Sequence, residues 1–393
     1  MKKMPLGVPY KGSKSRICDK LVEAIPFKGV THFYDLFCGG CAVTHKMLLL
    51  DRYTHIHCND INSMALLLFI NGIKGAYKNE NRWISREDFF RLKDTDPLVS
   101  ICWSFGNNQR DYLYSRVLEP YKKACHYAIV FDDFSLLCNL CPEVAEACAY
   151  ALDGVKDRNE RRVKFGPTIV NWLKAHGTVE MIDNNPLYSS CHVKHDTVTR
   201  HKGTIRDLSG LESLERLESL ERLVSLQSLE SLESLERLQS LESLERLERL
   251  ESLERLESKE RIDRLNEMQV ADTERLTWSV GSYEEVKIEP NSVVYCDIPY
   301  HSTNAYNSKR NKNTFDYDTF YSWCEAQTEL VLISEYWMPE DRFVSVWETS
   351  HIQSICATKT SAVTEKVFVS KHQVEKYYAM LGKKPDYSEG SLF

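Results

Sequence analysis

The stretch Thr31-His32-Phe33-Tyr34-Asp35-Leu36-Phe37-Cys38-Gly39-Gly40-Cys41-Ala42-Val43 constrains the fold of this 393-residue chain more than any other. A run of strand-forming residues ends in a Gly-Gly turn, and an apolar helical pattern continues from Val43 to Leu50. Strand, glycine turn and helix are the opening unit of an α/β sheet, and such a turn at a helix start suits a nucleotide or a related cofactor. G-x-G-x-x-G is absent, which argues against a dinucleotide. A second strand, His55-Ile56-His57-Cys58, ends in Asn59-Asp60-Ile61-Asn62. An acid about 20 residues beyond such a turn is placed to accept from two ribose hydroxyls. Turn and acid together point to an adenosine-bearing cofactor.

A third apolar run, Ser292-Val293-Val294-Tyr295, reads as a buried strand that ends in Cys296-Asp297-Ile298-Pro299-Tyr300. Ligands of open α/β sheets sit at the carboxyl edge of the strands. An acid, a backbone carbonyl and an aromatic ring at that edge are what a planar amino group needs. The carboxylate accepts one N–H, the carbonyl accepts another, and the ring stacks. Leu330 to Tyr336, Phe343 to Trp347 and Glu365 to Val369 read as further strands.

Composition is that of a globular protein, with 42% hydrophobic and 11% aromatic residues. No apolar run follows Met1-Lys2-Lys3-Met4-Pro5-Leu6-Gly7, so no signal peptide is expected. No stretch approaches the roughly 20 apolar residues of a membrane span, and a cytoplasmic location is expected. Thirteen cysteines without regular spacing read as buried thiols. Pairs such as Cys138/Cys141 are weak zinc signals, and no metal is expected. The net charge of −7 comes entirely from residues 211–258, which hold 13 Glu and 6 Arg. The remainder is close to neutral and compatible with a nucleic-acid partner.

Near the N-terminus, Pro9-Tyr10-Lys11-Gly12-Ser13-Lys14 is a small-residue loop with two lysines and no phosphate-loop spacing. Four motifs now stand in order: this loop, Asp35-Leu36-Phe37-Cys38-Gly39-Gly40, Asn59-Asp60, and Asp297-Ile298-Pro299-Tyr300. The set resembles the Dam-type (D12 class) DNA N6-adenine methyltransferases. Ser104-Phe105-Gly106-Asn107-Asn108 and Tyr112-Leu113-Tyr114-Ser115 resemble phage and prophage members. The resemblance covers about residues 5–135 and 280–370. It implies an α/β fold: a Rossmann-like S-adenosylmethionine-dependent methyltransferase sheet with a mostly helical recognition domain and an inserted repeat. It also implies methyl transfer from S-adenosylmethionine to N6 of adenine in double-stranded DNA, by base flipping and direct transfer. By analogy Tyr10, Lys14, Asp35, Phe37, Gly39 and Asp60 hold the cofactor, and Asp297, Ile298, Pro299 and Tyr300 carry the chemistry. The expected divisions are 1–100 (cofactor half), 101–207 (recognition), 208–268 (repeat) and 269–393 (catalytic half).

Adenine N6 is a poor nucleophile because its lone pair is delocalised into the ring. Two acceptors aimed at it, the Asp297 carboxylate and the Ile298 carbonyl, favour the pyramidal state and the charge that develops on nitrogen. Tyr300 would stack on the extruded base. No catalytic cysteine is needed. Ile298 replaces the family's usual proline, so the stiffness of its carbonyl must come from β-branching and packing. Cys41 stands where a second motif glycine is common. Two other readings remain: a weak or inactive DNA-binding homologue, and a methyltransferase acting on RNA adenine or on a protein glutamine amide.

Between the halves, Arg110, Tyr112, Tyr114, Arg116, Tyr121, Lys122 and Lys123 interleave aromatic and basic residues. Arg158, Arg161, Arg162 and Lys164 form a second cluster, and Lys194, His195, Arg200, His201 and Lys202 a third. Phosphate contacts are expected from these. Tyr306, Lys309, Arg310 and Lys312 fall in a stretch resembling the loop that closes over the target base. From Leu208 to Leu256 every third residue is Leu. Pairs such as Glu212/Arg216 and Glu242/Arg246 sit at i,i+4 in the orientation that favours a helix. A period of three winds around a helix too fast for a coiled-coil seam. A helix in some form, a short-period solenoid and a mostly disordered segment all fit, and self-association through the repeat is one role for it.

Overall fold

The computed structural model describes residues 5–10, 12–175, 256–268, 270, 272–300, 315–356 and 359–384. The leucine repeat up to Arg255 lies outside the described residues, and so do Lys194, His195, Arg200, His201, Lys202, Tyr306, Lys309, Arg310 and Lys312. The chain divides into two compact units: Met1–Leu113 with Glu260–His351 and Ala362–Phe393, and Tyr114–Lys259 with Ile352–Ser361.

The first unit holds a seven-stranded sheet, apart from the ends of its last two strands at residues 352–361. Its strands are β1 (His32–Asp35), β2 (His55–Asp60), β3 (Leu276–Val280), β4 (Ser292–Cys296), β5 (Leu330–Glu335), β6 (Phe343–Cys356) and β7 (Lys359–Ser370), in the order β3-β2-β1-β4-β5-β7-β6. The first five run parallel, and β7 is antiparallel to β5. This is the Rossmann-like arrangement, with an antiparallel strand added at one side. Every residue of β4 and β5 is buried, as expected of parallel strands covered on both faces. β3 is an edge strand with Trp278 and Val280 more than 40% exposed, so it lacks the apolar run that marks its neighbours. The strand order reverses between β1 and β4, which puts a crevice beyond Asp35 and Cys296.

Helices of this unit are α1 (Cys18–Leu21), α2 (Ala42–Leu50), α3 (Ser63–Ile73), α4 (Arg86–Leu92) and α5 (Pro97–Cys102). The second unit carries α6 (Glu119–His126), α7 (Ser135–Leu140), α8 (Pro142–Ala151) and α9 (Arg158–Ala175). Val144, Ala145, Cys148, Phe165 and Ile169 form part of its buried interior. α10 (Glu257–Glu267) follows the repeat, and α11 (Tyr317–Ala326) and α12 (Val374–Leu381) complete the chain. Leu256, Ile262, Leu265 and Met268 carry the period of three into α10, and all are buried. Three residues advance about 300° around a helix, so burial at this period covers α10 on several sides.

The basic clusters are partly structural, which corrects the expectation of phosphate contacts. Arg161 is 6% exposed and donates to the carbonyls of Ile129, Val130, Val155 and Lys156. Lys122 is buried and paired with Glu257 at 3.1 Å. Tyr112 and Tyr114 are buried, with their hydroxyls on the Ile84 carbonyl and on Ser258. A buried cation is retained only when paired, so these side chains anchor helices. Arg116 and Lys164 remain exposed.

Candidate active site

At the carboxyl end of β1 the chain turns sharply. Cys38 N–H donates to the Asn59 carbonyl, and Cys41 N–H to the Cys38 carbonyl at 2.6 Å. Gly39 has φ +47, and a Cβ there would lie 2.9 Å from the Tyr10 ring. A Cβ on Gly40 would lie 2.6 Å from Tyr10 Cβ, so Tyr10 packs against both glycines. Asp60 closes the turn from β2, accepting from Gly39 N–H and from Asn62 N–H, each at 2.7 Å. Asp35 accepts from Thr44 N–H and Oγ1 (2.6 Å) with one oxygen, which fixes the start of α2. Its other oxygen is buried and has no partner among the described residues. Burial pushes the Asp35 carboxyl well above its ordinary range. Phe37 packs with Tyr283, Phe315 and Phe320.

The N-terminal segment is fastened to this turn. Val8 N–H donates to the Gly40 carbonyl at 2.8 Å, and Gly7 N–H to His45 Nδ1 at 3.2 Å. Burial lowers the pKa of His45 to about 4, so the ring stays neutral and accepts. Gly7 has φ +65, and a Cβ on it would meet the Gly40 oxygen at 2.2 Å. Gly7→Ala is therefore expected to cost at least about 1–2 kcal/mol, read as a lower midpoint in denaturant unfolding.

At the end of β4 a charged network forms. Lys14 donates to Asp297 Oδ1 at 2.7 Å and lies 3.5 Å from Glu365. It also hydrogen-bonds the Tyr300 hydroxyl and sits 4.5 Å from the centre of that ring. Tyr300 donates in turn to Glu365, and Ser334 Oγ donates to the same oxygen at 2.7 Å. Tyr336 meets the Tyr300 ring edge-on at 4.4 Å. Ile298 is 2% exposed in a cluster with Val294, Phe320 and Ile333, and Tyr317 donates to the Pro299 carbonyl at 2.8 Å. Packing thus braces Ile298.

Electrostatics follow from burial in this network. Lys14 is 7% exposed, Glu365 2% and Asp297 21%. Burial pushes Asp297 up to about 6; Lys14 opposes the rise and Glu365 adds to it. Burial also works against charge on Lys14, but Asp297 and Glu365 outweigh it and hold its pKa above the ordinary value. Burial, then the two carboxylates, raise Tyr300 well above a free phenol.

The structure thus gathers Tyr10, Gly39 and Asp60 at one turn, with Asp35 beneath it, and Asp297 and Tyr300 at the neighbouring strand end. Lys14 joins the Asp297 group rather than the turn. Glu365, Ser334 and Tyr336 were not anticipated as site residues. Their signal is polar residues at the end of the buried run Leu330–Ile333 and at the head of the run after Glu365. Also unanticipated is the meeting of Cys38, Cys41 and Cys58, whose sulfurs lie within 4.8 Å of one another.

A Rossmann-like sheet with a glycine turn on β1 and an acid-X-Pro-Tyr end on β4 is consistent with a methyltransferase domain. More particularly, the chain carries a D12 class N6 adenine-specific DNA methyltransferase domain, whose family model matches residues 10–150. The match is to a family of adenine-specific DNA methyltransferases. It includes Tyr10, Lys14, Asp35, Phe37, Gly39 and Asp60, and ends before Asp297. No curated protein matches the chain.

Proposed function

We propose that the enzyme transfers a methyl group from S-adenosylmethionine to N6 of an adenine extruded from double-stranded DNA. One observation carries this reading. A nitrogen donor, the Lys14 ammonium, is held 2.7 Å from Asp297 and 4.5 Å from the centre of the Tyr300 ring. An adenine amino group needs the same surroundings, a carboxylate to accept its hydrogen and a ring for its base. Asp297 and the Ile298 carbonyl accept the two N6 hydrogens, and Asp297 balances the charge that builds on nitrogen.

The turn side suits the cofactor. One buried Asp35 oxygen has no partner among the described residues and is fit to receive an ammonium group. Tyr10 and the two glycines offer a flat, close surface, and Asp60 a carboxylate at the end of β2 for the ribose. The cofactor supplies the sulfonium methyl. In this reading 1–100 and 269–393 are the cofactor and catalytic halves, 101–207 recognises DNA, and 208–268 is an insertion. Among the described residues no helix is long and apolar enough to cross a membrane. DNA as substrate places the work in the cytoplasm of a bacterium or a phage-infected host.

The test is transfer of labelled methyl from S-adenosylmethionine to unmethylated duplex DNA, with the product nucleoside identified by mass spectrometry. N6-methyladenine is expected, with incorporation lost in Asp297→Asn. No incorporation with any DNA would sink the reading, and equal incorporation by Asp297→Asn would sink the assigned site.

A further inference from the structure

We propose that Cys38, Cys41 and Cys58 form a binding site for a single thiophilic d10 metal ion of the Zn²⁺ or Cu(I) kind. Cys38-Gly39-Gly40-Cys41 is a C-x-x-C turn, the spacing at which two thiols reach one ion. The third thiol comes from the neighbouring strand: the β1–β2 register pairs Asp35 with Cys58, directly beneath the turn. All three sulfurs lie within 4.8 Å of one another, and Cys38 and Cys41 are 3.5 Å apart. A Zn–S bond of about 2.3 Å requires sulfur pairs about 3.8–4.0 Å apart, so small side-chain rotations bring the triangle onto an ion.

The surroundings favour this set over an ordinary buried thiol. The three residues are 7%, 0% and 0% exposed. Thiolate sulfur selects Cu(I) and Zn²⁺ over hard ions. Cys138 and Cys141 share the C-x-x-C spacing, but Cys138 is exposed and no third thiol joins them among the described residues. The backbone around the trio is already tied down: Cys38 N–H is bonded to Asn59, and the intervening Gly39 N–H is held by Asp60. An ion here would clamp the turn that carries Asp60. The inference does not depend on methyl transfer, because metal binding is its readout.

The experiment titrates Cd²⁺ into the reduced, full-length protein under argon and follows the ultraviolet thiolate-to-cadmium band. One tight equivalent is expected for the wild type and for Cys138→Ser/Cys141→Ser, with loss of that equivalent in Cys58→Ser and in Cys38→Ser/Cys41→Ser. A band that survives both of the latter variants, or that disappears with Cys138 and Cys141, overturns the proposal. Cadmium-113 NMR of the loaded wild type requires no variant to fold. A shift characteristic of three sulfur ligands supports the site, and a shift set by oxygen or nitrogen ligands overturns it. Cd²⁺, the softer ion, is expected to displace Zn²⁺ from the zinc-loaded protein.

Discussion

Asp297→Ala is expected to lower kcat by roughly 10²–10³-fold, the loss that follows removal of a group aimed at developing charge. The wild type should show a matching pH dependence. Asp297 must be ionised to accept N6–H, and burial sets its pKa at about 6. Methyl transfer at saturating cofactor is therefore expected to fall as pH drops through about 6, and the variant's residual rate should lose this limb. Stability moves the other way. The folded carboxyl holds its proton to higher pH than the unfolded one, so this group's contribution to stability falls as pH rises from the ordinary carboxylate range to about 6. A limb unchanged in Asp297→Ala would assign the titration to another group.

The second expected result is a pair of opposite shifts. Lys14 lowers the pKa of Asp297, whereas Glu365 raises it. Lys14→Gln should move the acid limb of the rate profile to higher pH, and Glu365→Gln should move it to lower pH. Well below pH 6, each unit by which Lys14→Gln raises the Asp297 pKa is expected to cost about tenfold in activity relative to pH 8, since one pKa unit is one decade of ionised acid. Glu365→Gln should be least affected in acid. Profiles that move together would mean that the lysine and the glutamate act on folding rather than on Asp297.

These two residues also mark how far the sequence is legible. Ser292 to Cys296 and Leu330 to Glu335 are recognisable as strands because parallel strands buried on both faces read as near-continuous apolar runs, here Val293 to Tyr295 and Leu330 to Ile333. The glycine turn is recognisable because only small residues let Tyr10 lie so close. β3 is not, because as an edge strand it is largely exposed and carries no continuous apolar run. Glu365 is not, because its meaning depends on β7 lying beside β5, a pairing fixed by register and not by any local pattern. Arg161 and Lys122 read as surface charges, since composition cannot tell a solvated cation from one folded onto four carbonyls or a glutamate. Lys14 is the intermediate case. Its loop is legible, but its partners lie 283 and 286 residues away.

That distance has a consequence for chain closure. Thr31 is joined to Asn291 at the start of the β1–β4 pair across 260 residues. Closure entropy grows only with the logarithm of length, so a 45-residue change in a span of 260 residues alters it by about 0.2 kcal/mol. The closure of this pair is therefore expected to be nearly indifferent to the number of residues between its ends. Deleting residues 211–255 is expected to leave Lys14 and Asp297 paired, read as an unchanged acid limb of the rate profile.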